Sequence, residues 1–546
     1  MNYIMGTFSG HDSSYCVLNE NGQIIEHLEA ERHFREKEKK CDAIEFMFNK
    51  FPDHQNIKYH TTSYPLSKTT QHKQSWEKLQ KILQKNNGKS FVFGHHLSHC
   101  ANAFFSSNFP KATIISFDGG GVESEQNFAS ACSIYYGEEN KIHNIKTFHL
   151  NEINIGGLYG RATRYIHKLP AGGWMGSSQG SVMAIASYGN PKRFFNDFWK
   201  MLTKDLFVAS TRPLSQPQDM SDPSKEVRHA YLSEYRDLIE KEGWQTEADL
   251  ASGLQAACEE QMKQIIDFAL KQSPHKDYLC LSGGVALNCV AAGKIFDWFP
   301  QLKGVYMPPV CGDANLSIGS AQYLYHHILD NPRNYTGINS SPYLGKKYSQ
   351  KEMLNAIEKH RNKIIKKFAI DEDVIDLLDE GKIISIFNGR AESGKRALLN
   401  RSILADPRKE NMRDIINEKV KHRTWYRPSA PTILREEVSN YFEKDVDSPY
   451  MSFAIKIKEN MRNKIPAVVH VDGTARLQTL TESDNKWAYN FLKKWLEKSG
   501  VPVILNTSFN DREPIVELPA HALETFLKTK LDYLYFPELK MLISKK

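Results

Sequence analysis

Two histidines, His95 and His99, stand four positions apart in the stretch HHLSHCANAFF, which reads as the start of a helix. On a helix this spacing places both imidazole rings on one face, where two neutral ring nitrogens can bind one divalent cation. Two carboxylates are candidates to complete the ligand set: Asp118 follows the β-branched run TIISF, and Asp313 stands in a loop that opens a helix. The sequence therefore predicts a mononuclear site with two nitrogen and two oxygen ligands. A surface or capping role for the histidines is the alternative, because the chain has 20 of them.

A second candidate group lies near the start of the chain. NYIMGTF and YCVLNENGQIIEHLE read as strands joined by the turn SGHDSS, in which His11 could act as a base and Asp12 could orient its ring. The alternative is an Asx-type turn in which Asp12 only satisfies backbone donors. The charged run at residues 31–40, ERHFREKEKK, is either a solvated helix or an anion clamp near that turn.

Clusters of cationic and polar side chains adjoin β-like runs in the last third of the chain. They contain Arg390, Arg396 and Arg401; Lys421, Arg423 and Arg427; His470, Thr474 and Arg476; and Asn506, Ser508, Asn510 and Arg512. The repeated order of strand and then polar cluster predicts several loops that converge at one end of a sheet. Guanidinium groups with one lysine suit the bidentate capture of phosphates, so we expect a polyphosphate site here. A solvated basic face is the alternative.

Two glycine-rich loops also predict ligand contacts. In SGGVALN, Gly283 and Gly284 lie between a strand and a helix, where backbone N–H groups and the helix dipole can hold an anion or a nucleotide. Gly120 lies in the run of glycines at 119–121, which removes side chains where a ligand must approach the backbone.

Length and composition place these residues in a multidomain α/β protein. A chain of 546 residues exceeds what one hydrophobic core usually serves. We predict a domain at 1–340, a Pro/Asn/Gly/Ser-rich linker at 341–365 and a second domain at 366–546. The net charge of +7 is mild for this size, so it does not indicate a nucleic-acid surface and suits anionic small substrates. No apolar run reaches the length of a membrane span, no signal peptide is visible, and eight cysteines lack CxxC pairing, so we expect a cytoplasmic protein with reduced thiols.

The motifs, taken together and in order, resemble the O-carbamoyltransferase family, which includes the nodulation carbamoyltransferase and the enzymes that modify tobramycin, cephamycin and ansamycin antibiotics. The matching stretches are GHDSS, HHLSH, SGGVALN, GDANLSIGSA, GRAESGKRALLNRSILADPR, HVDGTARLQT and NTSFN. The resemblance covers nearly the whole chain. It implies an N-terminal actin/sugar-kinase-type (Kae1-like) domain followed by a YrdC-like α/β domain.

The resemblance also implies a two-step reaction. In that family the YrdC-like domain converts carbamoyl phosphate and ATP, with Mg²⁺, to carbamoyladenylate, and the first domain transfers the carbamoyl group to a hydroxyl of a small acceptor. The implied metal ligands are His95, His99, Asp118 and Asp313, with His11 and Asp12 as the catalytic pair. The implied adenylate-binding residues are Gly120, Gly283, Gly284 and Asn288. The implied residues for carbamoyl phosphate and ATP are Arg390, Arg396, Lys421, Arg423, Arg427, His470, Thr474, Arg476, Asn506 and Ser508.

Several positions depart from the family pattern. Where the family usually has Phe-Gly-Pro-Arg, this chain has SGKR, with Ser393 and Lys395. Where the family has a glycine shortly afterwards, this chain has Leu399. The loop GSSQGS has Ser181 where a lysine is usual. These departures concern the acceptor and the efficiency of adenylate formation, and they leave the proposed metal ligands in place.

The sequence leaves several alternatives open. The metal is Fe²⁺, Zn²⁺ or Mn²⁺, because a His/Asp shell accommodates all three. The acceptor is a sugar, a nucleoside or a natural-product intermediate, and a homodimer is compatible with the sequence. The competing functions are carbamoylation of tRNA, which the mild charge disfavours, and a metal- and nucleotide-binding regulator without turnover.

Overall fold

The computed structural model describes residues 2–63, 73–123, 129–150, 152–169, 178–203 and 230–546. The chain forms two compact units. The first unit consists of Met1–Ile25 and Lys40–Ser340, and the second consists of Glu26–Lys39 and Ser341–Lys546. Both units combine helices with sheets, so the predicted α/β class is confirmed.

Two five-stranded sheets form the framework of the first unit, although Glu26–Glu29 of one edge strand are assigned to the second unit. The first sheet has the order β3-β2-β1-β4-β5 and contains β1 (Tyr3–Phe8), β2 (Ser14–Leu18), β3 (Ile24–Glu29), β4 (Ile57–Ser63) and β5 (Lys89–Phe93). The second has the order β10-β9-β6-β7-β8 and contains β6 (Lys111–Val122), β7 (Ala129–Glu138), β8 (Lys141–His149), β9 (Tyr278–Ser282) and β10 (Gly304–Tyr306). In each sheet the earliest strand lies in the middle, with an antiparallel partner on one side and a parallel partner on the other. The second sheet therefore repeats the topology of the first.

The helices of this unit connect and cover the two sheets. They are α2 (Ala43–Lys50), α3 (Lys73–Lys85), α4 (His95–Phe105), α5 (Ile155–Tyr165), α6 (Gln179–Ala186), α7 (Phe195–Thr203), α8 (Ala230–Glu242), α9 (Trp244–Gln272), α10 (Cys289–Trp298) and α11 (Leu316–Gln322); α1 (Ala30–Phe34) precedes them in the second unit. Residue Ser181, one of the departures noted above, is buried in α6, whereas Gly176 and Ser177 of the same GSSQGS loop lie outside the described residues.

Helices α4 and α11 pack with almost no space between their backbones. A Cβ atom at Gly319 in α11 would lie 1.8 Å from the carbonyl oxygen of Ser98 in α4. A Cβ atom at Gly6 in β1 would meet the carbonyl oxygen of Ser317 at the same distance. Only glycine allows these approaches. Helix α4, which carries His99, is thus held against α11, which follows Asp313. Helix α11 is in turn held against β1, the middle strand of the first sheet.

A nine-stranded mixed sheet forms the core of the second unit. Its order is β11-β19-β18-β12-β13-β17-β14-β16-β15. The strands are β11 (Ile364–Phe368), β12 (Ile384–Ile386), β13 (Ser402–Ala405), β14 (Ala430–Leu434), β15 (Phe453–Lys456), β16 (Thr474–Leu480), β17 (Val503–Ser508), β18 (Tyr533–Phe536) and β19 (Met541–Lys545). The helices are α12 (Gln350–Lys359), α13 (Asp371–Asp379), α14 (Met412–Ile415), α15 (Val438–Tyr441), α16 (Glu459–Arg462), α17 (Lys486–Ser499) and α18 (Pro519–Lys528). Buried apolar side chains of α13 and α17 pack with those of the strands, and Trp495 is fully buried among them.

The structure corrects the predicted linker at 341–365. This segment contains α12, which begins with a capping box formed by Ser349 and Glu352, and it leads into β11, which pairs with β19. The Pro/Asn/Gly/Ser composition was misleading because it belongs to the residues that flank the capped helix rather than to a flexible connection.

The charged run at 31–40 is also more ordered than a solvated helix. Residues Glu26–Lys39 belong to the second unit, although they precede most of the first unit in the sequence. In this segment Glu31 and Arg32 are buried, and Arg32 donates a hydrogen bond of 2.5 Å to the carbonyl oxygen of Gly394. The predicted boundary at residue 340 therefore assigns this segment to the wrong unit, because the segment contacts residues more than 300 positions away.

No helix among the described residues is both long and apolar enough to cross a membrane.

The tight contact between α4 and α11 yields a stability prediction. Gly319→Ala should lower the free energy of unfolding by about 1–3 kcal/mol, because the added methyl group must displace the backbone at Ser98. Gly312→Ala is the matched control: no atom lies within 4 Å of its ideal Cβ position, and a change below about 0.5 kcal/mol is expected. Thermal and urea unfolding followed by circular dichroism would measure both. Equal stability of the two variants would contradict the packing argument.

Candidate functional site

Four side chains with metal-binding atoms converge in the first unit. Ligand atoms of His95, His99, Asp118 and Asp313 all lie within 4.8 Å of one another. The Nε2 atoms of the two histidines are 3.1 Å apart, and the Nε2 atom of His99 is 2.9 Å from Oδ2 of Asp118. Oδ1 of Asp313 lies 3.6 Å from His99 and 3.8 Å from His95. Two ligands that are each about 2.1 Å from one ion are about 3.0–3.4 Å apart, so these separations are close to those of a shared coordination shell.

Burial and charge also fit a cation at this position. The side chains of His95 and His99 are 4% and 0% exposed, and the side chain of Asp313 is 8% exposed. Two carboxylates so close together and so little hydrated are stabilised by opposite charge. Burial alone would raise the pKa of Asp118, but hydrogen bonds with His95 and His99 hold it well below its usual range. Burial would lower the pKa of His99, and its bonds to Asp118 and Asp313 instead raise it to about 9. A protonated His99 thus offsets part of the negative charge that a bound cation would offset.

Local backbone features aim these side chains. The amide of His96, in the first turn of α4, donates a hydrogen bond of 2.5 Å to Glu123, which satisfies a donor that the helix cannot. In β6 the pairing with β7 shifts register between Phe117 and Gly121, and this bulge redirects the side chain of Asp118. A Cβ atom at Gly121 would lie 2.3 Å from the imidazole ring of His95. The run of glycines therefore lets the strand pass beside the histidine.

His11 and Asp12 lie next to this cluster, in the turn between β1 and β2. The Nδ1 atom of His11 is 3.1 Å from Asp12, and its Nε2 atom is 3.2 Å from Oδ2 of Asp313. The carboxylate of Asp313 has the largest effect on His11, whose pKa is raised to about 10. The side chain of His11 is 59% exposed, which leaves it accessible to a substrate. Asp12 orients the ring, and its own φ of 60° shows that the turn uses a left-handed residue.

The glycine loops lie at the same cluster. The amide nitrogen of Gly284 is 3.4 Å from Oδ2 of Asp118. Gly283 has a φ of 92°, and a Cβ atom there would lie 2.0 Å from the carbonyl oxygen of Phe117. Asn288 caps α10 by accepting a hydrogen bond from Ala291, and it also bonds Gln255. Gly120, with a φ of 151°, lies in the bulge of β6. The structure thus places Gly120, Gly283 and Gly284 beside the His/Asp cluster and gives Asn288 a capping role.

A second cluster, in the second unit, is cationic. Lys421 is buried, Arg423, Arg427 and Arg476 are half-buried, and Lys37 is exposed. Burial is the main cause of the lowered pKa values of Lys421, Arg423 and Arg427, and neighbouring cations lower each value further. Arg423 and Arg427 act on Lys421, Arg427 and Arg476 act on Arg423, and Arg476 acts on Arg427. Although the side chain of Lys37 reaches solvent, partial desolvation by the surrounding protein, and then the charge of Arg427, also lower its pKa. These five side chains are therefore close enough to repel one another, and an anion would relieve the repulsion.

Two of these cations also order the loops around them. Nζ of Lys421 donates to the carbonyl oxygens of Ser508 (2.8 Å) and Asn510 (2.9 Å), to Oγ of Ser508 (3.1 Å) and to Oδ1 of Asn510. Nε of Arg423 donates a bond of 2.6 Å to Oδ1 of Asn417, and its Nη2 atom lies 3.4 Å from the carbonyl oxygen of Pro428. Lys421 thus fixes the end of β17. Arg423 fixes its own loop, because it bonds to Asn417 before the loop and to Pro428 at its end.

The remaining predicted residues have mixed settings. Nδ2 of Asn506 donates to Thr432 and Gln478 between buried strands, so its amide joins β17 to β14 and β16. His470 lies 3.6 Å from Asp472, which also accepts a bond of 2.7 Å from Thr474. The structure gives these three residues structural contacts within the second unit.

Arg390 is separate from the cationic cluster in its contacts. Its guanidinium donates to the carbonyl oxygens of Gly345 (2.8 Å) and Leu344 (2.7 Å). Together with Asn388, Asp484 and Trp487, it lines a cavity of about 460 Å³. Arg401 is fully buried, with its guanidinium 3.7 Å from the ring centre of Phe387. Sequence reasoning grouped these arginines with the phosphate site because they share a loop, but hydrogen bonds to backbone carbonyls hold both in supporting positions.

Sequence reasoning missed two residues of this site. Lys37 comes from the charged run at 31–40, whose interpretation as an anion clamp was the available signal. Glu392 is 1% exposed, and its Oε1 atom accepts hydrogen bonds from the amides of Leu398, Asn400 and Arg401. A single glutamate in GRAES gives no sign in the sequence that it will organise the loop that contains Arg396.

The carbamoyltransferase N-terminus family matches residues 70–322, and the carbamoyltransferase C-terminus family matches residues 375–545. Nodulation protein NolO of Bradyrhizobium diazoefficiens is 30% identical over 450 residues, which cover 80% of this chain and 76% of that protein. The 3'-hydroxymethylcephem-O-carbamoyltransferase of Amycolatopsis lactamdurans is 28% identical over 332 residues, which cover 61% of this chain and 58% of that enzyme.

Among solved structures, HypF of T. kodakarensis matches with 14% sequence identity and a TM-score of 0.34, over 59% of this chain and 48% of that chain. A similarity at this level does not define the fold. The family matches and the relatives confirm the resemblance that the motifs indicated, and the chain belongs to the carbamoyltransferase family of enzymes.

Proposed function

We propose that this carbamoyltransferase is an ATP-dependent O-carbamoyltransferase that activates carbamoyl phosphate in its second unit and transfers the carbamoyl group to a small hydroxylated acceptor in its first unit. The observation that carries the proposal is the gathering of Lys421, Arg423, Arg427 and Arg476, all buried or half-buried, in one cluster of the second unit, an arrangement that suits a highly charged anion. Carbamoyl phosphate and ATP are both highly charged anions.

The proposed first step forms carbamoyladenylate. Water cleaves the carbonyl carbon–oxygen or the phosphorus–oxygen bond of carbamoyl phosphate, giving phosphate and carbamate, and a carbamate oxygen then attacks the α-phosphorus of ATP, from which pyrophosphate leaves. The phosphates of carbamoyl phosphate and ATP and the carboxylate of carbamate are all negatively charged, so the cost of bringing them together falls when cations surround them. The second unit is proposed to be the YrdC-like domain, with the cationic cluster at the reacting phosphates.

The residues of the second unit then divide into two roles. Arg427 and Arg476, half-buried and mutually repelling, are proposed to contact phosphates, together with Arg396 and Lys37. Lys421 is proposed to hold the Ser508 loop in place, because its ammonium group already donates to four acceptors. The following residues are proposed to keep the surrounding backbone in position: Arg390, Arg423, His470, Thr474 and Asn506.

The proposed second step takes place in the first unit. Its two sheets share one strand order, which supports an actin/sugar-kinase-type fold with two related halves. A divalent cation, held by His95, His99, Asp118 and Asp313, would supply a Lewis acid for the carbamoyl group. Gly283 and Gly284 are proposed to let the adenylate approach the backbone, since the amide of Gly283 itself donates to the carbonyl oxygen of Cys311 (2.9 Å). A cation bound to Asp313 would offset the negative charge that raises the pKa of His11, and the ring, exposed and oriented by Asp12, is then proposed to accept the proton of the acceptor hydroxyl.

Carbamoyl phosphate-dependent release of pyrophosphate tests the proposal directly. The full-length protein, given carbamoyl phosphate and ATP labelled in the γ-phosphate, should release labelled pyrophosphate without any acceptor. Arg427→Ala should lower this rate by about 100-fold or more, because it removes a cation from the reacting phosphates. Asp313→Ala should leave pyrophosphate release intact and abolish transfer.

The matched control for this experiment is Arg361→Ala, an arginine of the same unit whose side chain is 68% exposed. It should release pyrophosphate at the wild-type rate. Failure of the wild-type protein to release pyrophosphate with Fe²⁺, Zn²⁺ or Mn²⁺ added would contradict the proposal, as would equal loss in Arg427→Ala and Arg361→Ala.

Metal binding can be measured without turnover. The wild-type protein should bind one equivalent of Fe²⁺, Zn²⁺ or Mn²⁺, as measured by calorimetry and by metal analysis after desalting. His99→Ala should weaken this binding by more than the roughly 10- to 100-fold that loss of an outer-shell contact costs, because a ligand itself is removed. His143→Ala, an exposed histidine of the same unit, is the control and should bind metal normally. Unchanged affinity in His99→Ala would exclude the His/Asp cluster as the metal site.

The lowered lysine pKa values predict proton uptake when phosphates bind. In the free protein, burial and neighbouring cations lower the pKa of Lys421 and of Lys37. A bound polyanion raises both values, so at alkaline pH the complex takes up protons and affinity falls as pH rises through the free-state pKa values. Calorimetry of ATP binding in buffers of different ionisation enthalpy, from about pH 7 to about pH 10, measures this uptake.

The control for proton uptake is Lys37→Arg, which keeps a charge that does not titrate in this range. The uptake should decrease in this variant while ATP still binds. Proton release on binding, or no change in proton number across the alkaline range, would contradict the electrostatic argument.

A further inference from the structure

A large aromatic side chain is exposed in the loop that carries two arginines of the cationic cluster. The side chain of Trp425 lies between Arg423 and Arg427 in the sequence, yet the residue is 55% exposed. The two arginines that flank it are half-buried. An exposed indole costs little by itself, since single apolar side chains are common on protein surfaces. The position of Trp425 in the loop that supplies Arg423 and Arg427 suggests a role in binding the same ligand.

The backbone that carries Trp425 is firmly held. Asn417 donates to the carbonyl oxygens of Trp425 (3.2 Å) and Arg427 (2.9 Å), and its Oδ1 atom accepts from Arg423 (2.6 Å). The amide of Arg423 donates to the carbonyl oxygen of Asn417 (3.0 Å), and the amide of Arg427 lies 3.3 Å from the carbonyl oxygen of Thr424. One asparagine thus closes the loop from both ends, and the indole is attached to a rigid support.

The ring itself has a neighbour that braces it. Tyr426 is 7% exposed, and its ring packs against the indole with centroids 5.7 Å apart and planes at 81°. An edge-to-face pair restricts the tilt of the indole, and the residue remains 55% exposed. An aromatic ring that is braced and exposed at the same time loses little conformational entropy when a flat ligand stacks on it.

The expected ligand has one part that such a ring could recognise. The phosphates of ATP suit Arg427 and its cationic neighbours, and carbamoyl phosphate has no aromatic group. The remaining flat, uncharged part is the adenine base, which has a π-face that stacks on tryptophan. We propose that Trp425 is the stacking platform for the adenine base of ATP. The inference rests on the proposed ATP-dependent activation and adds to it the residue that distinguishes a nucleotide from a bare polyphosphate.

The test compares ATP with inorganic tripolyphosphate, which has the phosphates and no base. Dissociation constants for both are measured by calorimetry on the full-length wild-type protein and on Trp425→Ala. Loss of one stacked base, worth about 1–3 kcal/mol, should weaken ATP binding by roughly 5- to 150-fold. Tripolyphosphate affinity should change by less than about twofold, because the arginines and their loop are retained. The KM for carbamoyl phosphate should likewise stay unchanged.

Two further variants make the result specific. Trp425→Phe retains a ring and should recover most of the ATP affinity. Phe368→Ala removes another exposed aromatic of the second unit, 69% exposed on the edge strand β11, and should bind ATP as the wild-type protein does. Circular dichroism and thermal unfolding of each variant establish that the fold is retained, which the exposure of both side chains favours.

Each other outcome overturns the inference. Unchanged ATP affinity in Trp425→Ala would exclude stacking while leaving the activation step standing. Equal loss of ATP and tripolyphosphate would show that the tryptophan supports the loop rather than the base. A raised KM for the hydroxyl acceptor with normal ATP binding would assign the indole to the acceptor. Absence of ATP binding to the wild-type protein would instead count against the proposed function itself.

Discussion

Like charges held close together are the constraint on which both sites depend. Asp118 and Asp313 approach the same pair of histidines in the first unit, and four cations crowd around Arg427 in the second. Each arrangement raises the free energy of the folded protein unless hydrogen bonds or an opposite charge offset it. Such strain persists where the surrounding structure holds it in place, and it favours ligands of the opposite sign. The first site therefore suits a cation and the second a polyphosphate.

The surrounding backbone explains how these charges stay in place. Gly319 brings α11 against α4, Gly121 lets β6 pass His95, and Asn417 closes the loop around Arg423. The two glycines leave room where any larger side chain would keep the elements apart, and the Asn417 amide holds its loop through hydrogen bonds. The charged groups contribute specificity, whereas close packing and hydrogen bonds to the backbone contribute the energy that holds them.

The sequence predicted the parts of this structure that local patterns encode. The spacing of His95 and His99 placed both on one helical face, and Asp313 opens a short helical turn as expected. Asp118, expected at the end of a strand, instead lies within β6 at its bulge. The role of Lys421 could not be predicted, because its partners Ser508 and Asn510 are more than 80 positions away. Long-range contacts also explain why the segment at 26–39 was assigned to the wrong unit. Composition predicted a linker where a capped helix forms, since helix-ending and linker residues are of the same types.

Leu399 shows how a departure from a family pattern can be absorbed. Its φ of 84° lies in the left-handed region, where the resembled family has glycine, and such a conformation costs a leucine roughly 1–2 kcal/mol. The buried amide of Leu399 donates a bond of 2.9 Å to Ser402, and the amides on either side of it both donate to Glu392. Bonds to a charged acceptor contribute about 1.5–3 kcal/mol each, enough to offset the strain. The leucine side chain in turn joins the buried core of the second unit. The leucine is therefore accommodated at a backbone position that favours glycine, because the hydrogen bonds and the packing of its loop offset the strain.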